Sequence, residues 1–510
     1  LRRRFPVRRT ISDNARLRAN PERSMLSFAL TEKTRKLLWW SLGFIFIARI
    51  ICSVVVPLTD TTEARYGEIA RKMLETGDWI TPQHDYGVPF WAKPPLSTWL
   101  SAFSMKLFGV NEFAVRLPSL LLAIGMLVIV WQWNAQRRGR DFALAVCAAL
   151  AGMSLFFMAG GAVMTDSSLA FCTTLTMVSF WRALHSQQKY WGYLFFVGLG
   201  IGLLAKGPLV GVLTFLPILP WIAFRKNWLQ VWRALPWFSG SALMLIIGVP
   251  WYLIAEHKTP GFLAYFILGE HFGRFLNPGW DGDKYGHAHA EPLGMIWIYW
   301  LAAALPWSFV FLSKAKTVVQ HRRAWLAESD GLISYLLWWS FAPLVFFTFA
   351  HNIIWPYPLP TLPAFAILAI ELLARFNRNN QPLGIRLAAL NFVTPVILLI
   401  VAGLYAVDHY GLLKSSQKDS AEFYLQVRPS ADSGLYYFRR RYYSGEFYSA
   451  GKAKMIEADA IPTLFENDTT DFLVIYSDDL EKLSPALRAH FKPLRTFGEL
   501  VMLQEIVSAH

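Results

Sequence analysis

The chain has 510 residues, of which 54% are hydrophobic and only 16% charged, and it carries a formal net charge of +14. An ordinary soluble chain has about 25% charged residues, so the composition argues against a single water-soluble globule. The cations sit at the ends of apolar runs and not in one patch, which makes a membrane surface a better partner than nucleic acid.

Residues 1–36 read as a basic cytoplasmic arm, Arg-rich over the first 24 positions, with Met25 a candidate start. A bilayer-spanning helix needs about 20 mainly apolar residues. Eleven stretches meet that need: Leu37–Leu58, Leu117–Trp133, Phe142–Gly161, Ser167–Leu184, Tyr190–Ala205, Pro208–Phe224, Leu235–Ala255, Leu293–Leu312, Leu332–Ala350, Ile354–Ala374 and Leu387–Val407. Pro95–Phe108 is apolar but short and reads as a helix lying on the outer leaflet. The connections Asn134–Asp141, Arg182–Lys189, Arg225–Arg233, Lys314–Arg323 and Arg375–Arg386 all carry Lys or Arg. Those around Asp166, Lys206 and His351 hold one cation between them. The positive-inside bias makes the first set cytoplasmic, so eleven crossings that start inside finish outside.

The fold expected is therefore an all-α polytopic membrane protein of about 11–13 transmembrane helices with a small extracytoplasmic α/β domain. Residues 37–408 form the membrane part, with outer loops 59–116 and 256–292, and residues 409–510 form the soluble domain. In the first outer loop Thr62–Thr76 has helical spacing, with Glu68/Lys72 and Arg71/Glu75 as i,i+4 pairs, and Gly77-Asp78 ends it. In the tail Asp471–Tyr476 reads as a buried strand, Asp478–Phe491 as a helix and Leu494–Ile506 as a strand or hairpin. Cys52, Cys147 and Cys172 lie in apolar runs, which argues against a disulfide framework.

Asp60, Glu63, Arg65, Lys93, Asp166, Lys206, Glu270, His271, Arg274, His289 and Tyr357 all fall on the outer side. Each has an ordinary explanation alone. Asp60, Glu63 and Asp166 suit helix caps, and Lys93 suits a snorkelling cation. Gly286-His-Ala-His-Ala-Glu291 is a weak metal pattern. Their shared side is the informative feature, because ionisable groups at a membrane edge are costly and mark sites. Arg65, Lys93, Lys206 and Arg274 could hold phosphate oxygens, and nearby carboxylates could deprotonate or orient an attacking group.

Several runs carry a resemblance. Asp60-Thr-Thr-Glu63-Ala-Arg65-Tyr66-Gly-Glu68, Gly77-Asp78-Trp79, Lys93-Pro94-Pro95, Leu107-Phe-Gly and Arg116-Leu-Pro come first in the chain. Thr165-Asp166, Ala205-Lys206-Gly207, Glu270-His271-x-x-Arg274, His289-x-x-Pro292, Leu305-Pro306-Trp307 and Tyr357-x-Leu-Pro360-x-Leu-Pro363 follow in order. Over residues 37–375 they resemble polyprenyl-phosphate-sugar-dependent glycosyltransferases of the GT-C superfamily, the group of the 4-amino-4-deoxy-L-arabinose lipid A transferases and the dolichyl-phosphate-mannose protein mannosyltransferases. The resemblance implies a GT-C fold in a bacterial inner membrane, with the tail periplasmic. It implies transfer of one sugar, with inversion, from a polyprenyl phosphate to a glycolipid, glycan or protein acceptor, with membrane lipids as further partners. Asp60, Glu63 and Asp166 become the catalytic candidates. Arg65 and Lys93 would grip the phosphate, with Tyr66, Lys206, Glu270, His271, Arg274, His289 and Tyr357 along the substrate wall. Thr62 stands where the lipid A transferase pattern has Asp, so Asp60 or Glu63 would take over. Ala92 replaces the Glu of Glu-Lys-Pro-Pro, which removes a carboxylate that would help hold a divalent metal; no cofactor is assigned, and a divalent metal stays a weak candidate. A lipid-linked sugar transporter and a non-catalytic envelope assembly subunit are the alternatives. The transporter would call for inverted repeats and broken helices, and neither is visible in the sequence.

Overall fold

The structure is a computed structural model, and it describes residues 28–506 except 278, 287–288, 327, 329, 377–382 and 408–415. Most of the expected N-terminal arm and His287 therefore lie outside the described residues. The first helices are α1 (Glu32–Val55), α2 (Thr62–Thr76), α3 (Leu96–Phe108), α4 (Glu112–Arg138), α5 (Arg140–Ala151) and α6 (Ser154–Ala159). Next come α7 (Thr165–His185), α8 (Tyr190–Lys206), α9 (Leu209–Arg225), α10 (Trp228–Ala234) and α11 (Trp237–Lys258). A π-helical segment, Ala264–Gly273, leads into α12 (Arg274–Leu276). The bundle ends with α13 (Met295–Ala303), α14 (Trp307–Ser313), α15 (Ala315–Leu326), α16 (Leu332–Phe347), α17 (Leu362–Phe376) and α18 (Leu383–Val407).

Three of these helices, α1, α4 and α11, are each long and apolar enough to cross a membrane, and α13 with α14 qualifies as a fourth if counted together. Helices α8, α9, α16 and the Ala389–Leu404 part of α18 are apolar but shorter. The chain is a multi-pass membrane protein, and two of the expected spans are divided. Phe142–Gly161 divides into α5 and α6 at Gly152-Met153, and Leu293–Leu312 divides into α13 and α14, bent by 107°. Pro306, which has no N–H to continue a helix, sits at the second break. The two breaks satisfy each other: Ser154 N donates to Leu305 O at 3.0 Å, and Ser154 Oγ donates to Ala303 O at 3.1 Å. Irregular backbone at membrane depth survives where protein buries it. Ile354–Ala374 also starts late, at Leu362, because Pro356, Pro358 and Pro360 keep the preceding residues out of an α-helix.

Aromatic side chains fill the largest core, and several direct their polar atoms at backbone carbonyls. Trp221 Nε1 donates to Gly331 O at 3.1 Å, Trp339 Nε1 to Pro360 O at 3.1 Å, and Tyr335 OH to Met177 O at 2.8 Å. In the first outer loop α2 spans the residues its spacing predicts, and Gly77 ends it in the left-handed conformation. The expected Arg71–Glu75 pair forms at 2.7 Å, and Lys72 lies 3.6 Å from Glu68. Helix α3 packs between α2 and α4. A hairpin of β1 (Gln83–Asp85) and β2 (Val88–Pro89), unseen in the sequence, follows α2.

The tail is a five-stranded mixed sheet. Its helices are α19 (Lys418–Val427), α20 (Tyr443–Tyr448), α21 (Ser477–Lys482) and α22 (Pro485–Ala489). Its strands are β3 (Leu435–Phe438), β4 (Ala453–Ile456), β5 (Phe472–Tyr476), β6 (Phe491–Phe497) and β7 (Leu500–Glu505). They run in the order β4-β3-β5-β7-β6, with β3 parallel to both β4 and β5 and the β6–β7 hairpin antiparallel. The helix expected over Asp478–Phe491 is two short helices, because Ser484 caps a new start and Pro485 takes its first position.

At the end of the bundle opposite the tail, Glu371 is fully buried and meets Arg137 at 2.9 Å, Arg138 at 2.8 Å and Arg375 at 3.2 Å. Glu371→Ala leaves these guanidinium groups short of an anion. It should cost about 3 kcal/mol of stability, read as a lowered unfolding midpoint of the purified protein in detergent.

Candidate active site

The site is built where α1 ends. Carbonyls left open there are taken up by Arg116 of α4: Nη1 donates to Ser53 O at 3.1 Å and to Val56 O, and Nη2 donates to Pro57 O at 3.0 Å. The same guanidinium binds Glu63 at 2.7 and 2.8 Å. Glu63 stands in the first turn of α2, where the positive helix end favours an anion, and it also accepts Val163 N at 3.2 Å. With its oxygens so occupied, Glu63 ties the first loop to the bundle.

Beside this tie lies a cavity of about 810 Å³. Asp60, Glu63, Arg65, Tyr66, Lys93, Asp166, Lys206, Arg274, His289 and Tyr357 all line it, although nearly 300 residues separate the first from the last. Glu270 and His271 stand one layer behind. Glu270 pairs with Lys93 at 2.7 Å and with Arg274 at 3.0 Å. Burial alone would raise its carboxyl, but these two cations prevail and hold it below the usual range. His271 buttresses the wall, with Nδ1 2.8 Å from Phe266 O and Nε2 3.4 Å from Lys206 O. Lys206 Nζ lies 2.6 Å from Asp166 and 4.7 Å from the centre of the Tyr357 ring.

Six cations line the cavity, and four of them have carboxylate partners: Lys93, Arg116, Lys206 and Arg274. Among the described residues the other two, Arg65 and Arg49, have no carboxylate within ion-pair distance. Arg65 donates to Tyr285 O at 2.8 Å, lies over the Tyr66 and Tyr443 rings, and keeps a buried Nε without a partner. Arg49, on α1, donates to Gly161 O at 2.9 Å and lies over Phe157. A Cβ at position 161 would come within 1.9 Å of its Nε, so only glycine leaves it room. Asp60 is the converse, a carboxylate without a cation. Burial pushes its pKa up to about 6, against the opposing hydrogen bonds from Ser444.

Sequence reasoning passed over Arg49, Asp283, Tyr285 and Tyr443, all of which line the cavity. Arg49 had a signal, being a cation inside an apolar run. Tyr443 had none, because it arrives from the tail. That domain is held by Lys72–Glu446 at 2.9 Å and by Arg441 on Asp85 at 2.8 and 3.0 Å. His84 lies between these groups; burial, with Arg441 adding, lowers its pKa to about 4 and keeps it neutral at pH 7. Among the described residues no three His, Cys, Asp or Glu side chains converge as a metal site.

The class of this helical bundle, with its cavity and its small α/β cap, is read from its likeness to known proteins. The family model for dolichyl-phosphate-mannose-protein mannosyltransferase matches residues 44–266. The chain is 29% identical over 377 residues to an undecaprenyl phosphate-alpha-4-amino-4-deoxy-L-arabinose arabinosyl transferase of Pseudomonas savastanoi pv. phaseolicola, covering 70% of this chain and 67% of that one. It is 32% identical over 321 residues to the enzyme of the same name from Enterobacter sp. strain 638, covering 61% and 54%. The match thus spans between about half and two thirds of these relatives' length. The crystal structure of ArnT from Cupriavidus metallidurans bound to undecaprenyl phosphate superposes with a TM-score of 0.73 at 20% identity, covering 92% of this chain and 98% of that one, a likeness of fold. The chain thus has the fold of the ArnT structure and is similar in sequence to these glycosyltransferases over about two thirds of its length.

The buried Lys72 should anchor the tail. Lys72→Met is expected to speed amide exchange over residues 442–448 at least tenfold, a loss of about 1.4 kcal/mol or more, measured by hydrogen–deuterium exchange.

Proposed function

We propose that the chain moves a single sugar from a polyprenyl-phosphate donor to an acceptor on the periplasmic side of a bacterial inner membrane, with its N terminus cytoplasmic and its C-terminal domain periplasmic. The acceptor is a lipid A-type glycolipid, another glycan or a protein. The observation that carries this reading is the pattern of unmatched charge in one cavity. Among the described residues Arg65 and Arg49 lack carboxylates, and Asp60 lacks a cation, while the other lining cations are matched. A phosphate is the anion such arginines suit, through charge-assisted hydrogen bonds.

In this reading Arg65 holds the donor's phosphate and stabilises it as it departs, which is the largest catalytic term for a leaving group of this kind. Lys93, held in place by Glu270, is the second phosphate ligand. Asp60 is the general base for a hydroxyl acceptor. A carboxylate with a pKa near 6 is mostly ionised at neutral pH yet binds a proton more firmly than an ordinary aspartate. A phosphate acceptor, already anionic, needs no such help. Asp166 orients Lys206 on the same wall. No metal enters the scheme: the arginines and lysines supply the positive charge.

Purified protein given a polyprenyl-phosphate sugar and an envelope glycolipid should release polyprenyl phosphate, which a transporter would not do. Arg65→Ala, Lys93→Ala and Asp166→Asn should each lower turnover about 100-fold or more with insertion intact. Wild-type rates in all three would refute the site. With a hydroxyl acceptor, kcat/KM should rise with pH through an apparent pKa near 6, because only ionised Asp60 accepts a proton, and Asp60→Asn should abolish that limb.

A further inference from the structure

Asp60 belongs to the connection between α1 and α2, yet its hydrogen-bond partner comes from the far end of the chain. Ser444 N donates to Asp60 Oδ1 at 3.1 Å, and Ser444 Oγ donates to Oδ2. The direction of the second bond is fixed independently, because Gln417 N donates to the same Oγ at 2.9 Å and leaves its proton free for the carboxylate. Ser444 is completely buried. The helix that carries it is clamped on both sides. Tyr448 OH donates to Glu112 at 3.0 Å and accepts Leu58 N at 2.8 Å, while Glu446 is gripped by Lys72 and Arg441. Tyr443, next to Ser444, lines the cavity, with Arg65 lying 6.0 Å from its ring centre.

We infer that the C-terminal domain completes the reaction centre, with Ser444 as a positioning residue that fixes the Asp60 carboxylate at the cavity wall through paired backbone and hydroxyl donors. The inference rests on Asp60 acting as the base. Two neutral donors suit that task better than a cation would, since they orient the oxygens without the direct ion pair that occupies Glu63. The ionisable groups facing Asp60 are few. Glu446 of α20 is matched by Lys72 and Arg441, and Tyr437 of β3 lies behind. On the cavity side stand Glu63, matched by Arg116, and Arg65. The C-terminal domain thereby contributes to the chemistry, and a truncated bundle would lack a correctly held base.

The test uses the full chain in lipid nanodiscs and needs no substrate. The carboxyl stretch of Asp60, assigned by its loss in Asp60→Asn, is titrated by infrared difference spectroscopy. It should titrate near pH 6 in the wild type. Ser444→Ala should move the midpoint up by about one pH unit, because a donor to the ionised form is lost, and Ser444→Thr should return it. If Ser444→Ala does not fold, Ser444→Cys, similar in size and a weaker donor, should shift the midpoint in the same direction. An unmoved midpoint in a folded Ala or Cys variant overturns the inference. Turnover of Asp60→Asn is measured beside it: a wild-type rate there would sink the base assignment itself, whatever Ser444 does to the titration.

Discussion

A guanidinium closes the first span. An α-helix that stops inside a protein leaves its last carbonyls without partners, and α1 stops beside the cavity with Ser53, Val56 and Pro57 facing inward. Arg116 takes all three and then binds Glu63 on the next helix. That one buried side chain sets the path of the connection 56–62, and so the places of Asp60, Glu63 and Arg65. The exchange is favourable only because each party would be costly alone: an unpaired buried carbonyl, an unpaired buried carboxylate and an unpaired buried guanidinium. The cavity wall is therefore over-determined at its base.

The same reasoning separates framework from reactants. A buried ion pair whose members satisfy each other has little left to offer a ligand. Glu63–Arg116 and Asp166–Lys206 stiffen the walls, whereas Glu270 positions Lys93, whose ammonium group spends one N–H on that carboxylate and one on Ala92 O and keeps the third for a ligand. Among the described residues, the cavity groups with no ion-pair partner are two arginines and one aspartate. The broken helices, which sequence-level reasoning would associate with transport, do not contribute to that set. Ser154 at the first break fills the open carbonyls of Ala303 and Leu305 at the second, and residues 152–154 and 303–306 line no part of the cavity.

Much of the cavity was legible because its parts sit at predictable ends of apolar runs. A positive-inside count places Asp60, Lys93, Asp166, Lys206 and Tyr357 on one side before any contact is known, and each lines the cavity. What the count cannot supply is partnership. Nothing local to Asp60 points to Ser444, and nothing local to Lys93 points to Glu270, because both contacts depend on how distant segments pack. Span lengths failed for a related reason. Hydropathy registers how apolar a run is, but it is blind to the break at Gly152-Met153, where the run stays apolar and a neighbouring break supplies the missing hydrogen bonds. In the tail, β5 was readable as DFLVIY because both of its faces are buried. Strand β4, with Lys454 exposed at its centre, carried no comparable signal.

The two departures from the lipid A transferase pattern acquire different meanings in the structure. An aspartate at position 62 would stand at the first position of α2, where the helix end stabilises the ionised form and weakens it as a base. Asp60 stands before the helix begins, where Ser444 donates to it, and burial strengthens its hold on a proton. Moving the carboxylate two residues upstream thus trades easy ionisation for a firmer hold on a proton. Ala92 acts through geometry instead. A carboxylate beside Lys93 would compete for its ammonium group, whereas with alanine there Lys93 reaches Glu270 at 2.7 Å. That ion pair joins the outer loop 59–116 to the outer loop 256–292, and Arg274 shares its carboxylate. Losing a local anion leaves the lysine bound to a distant one, so the two loops form one wall with the cation held at its edge.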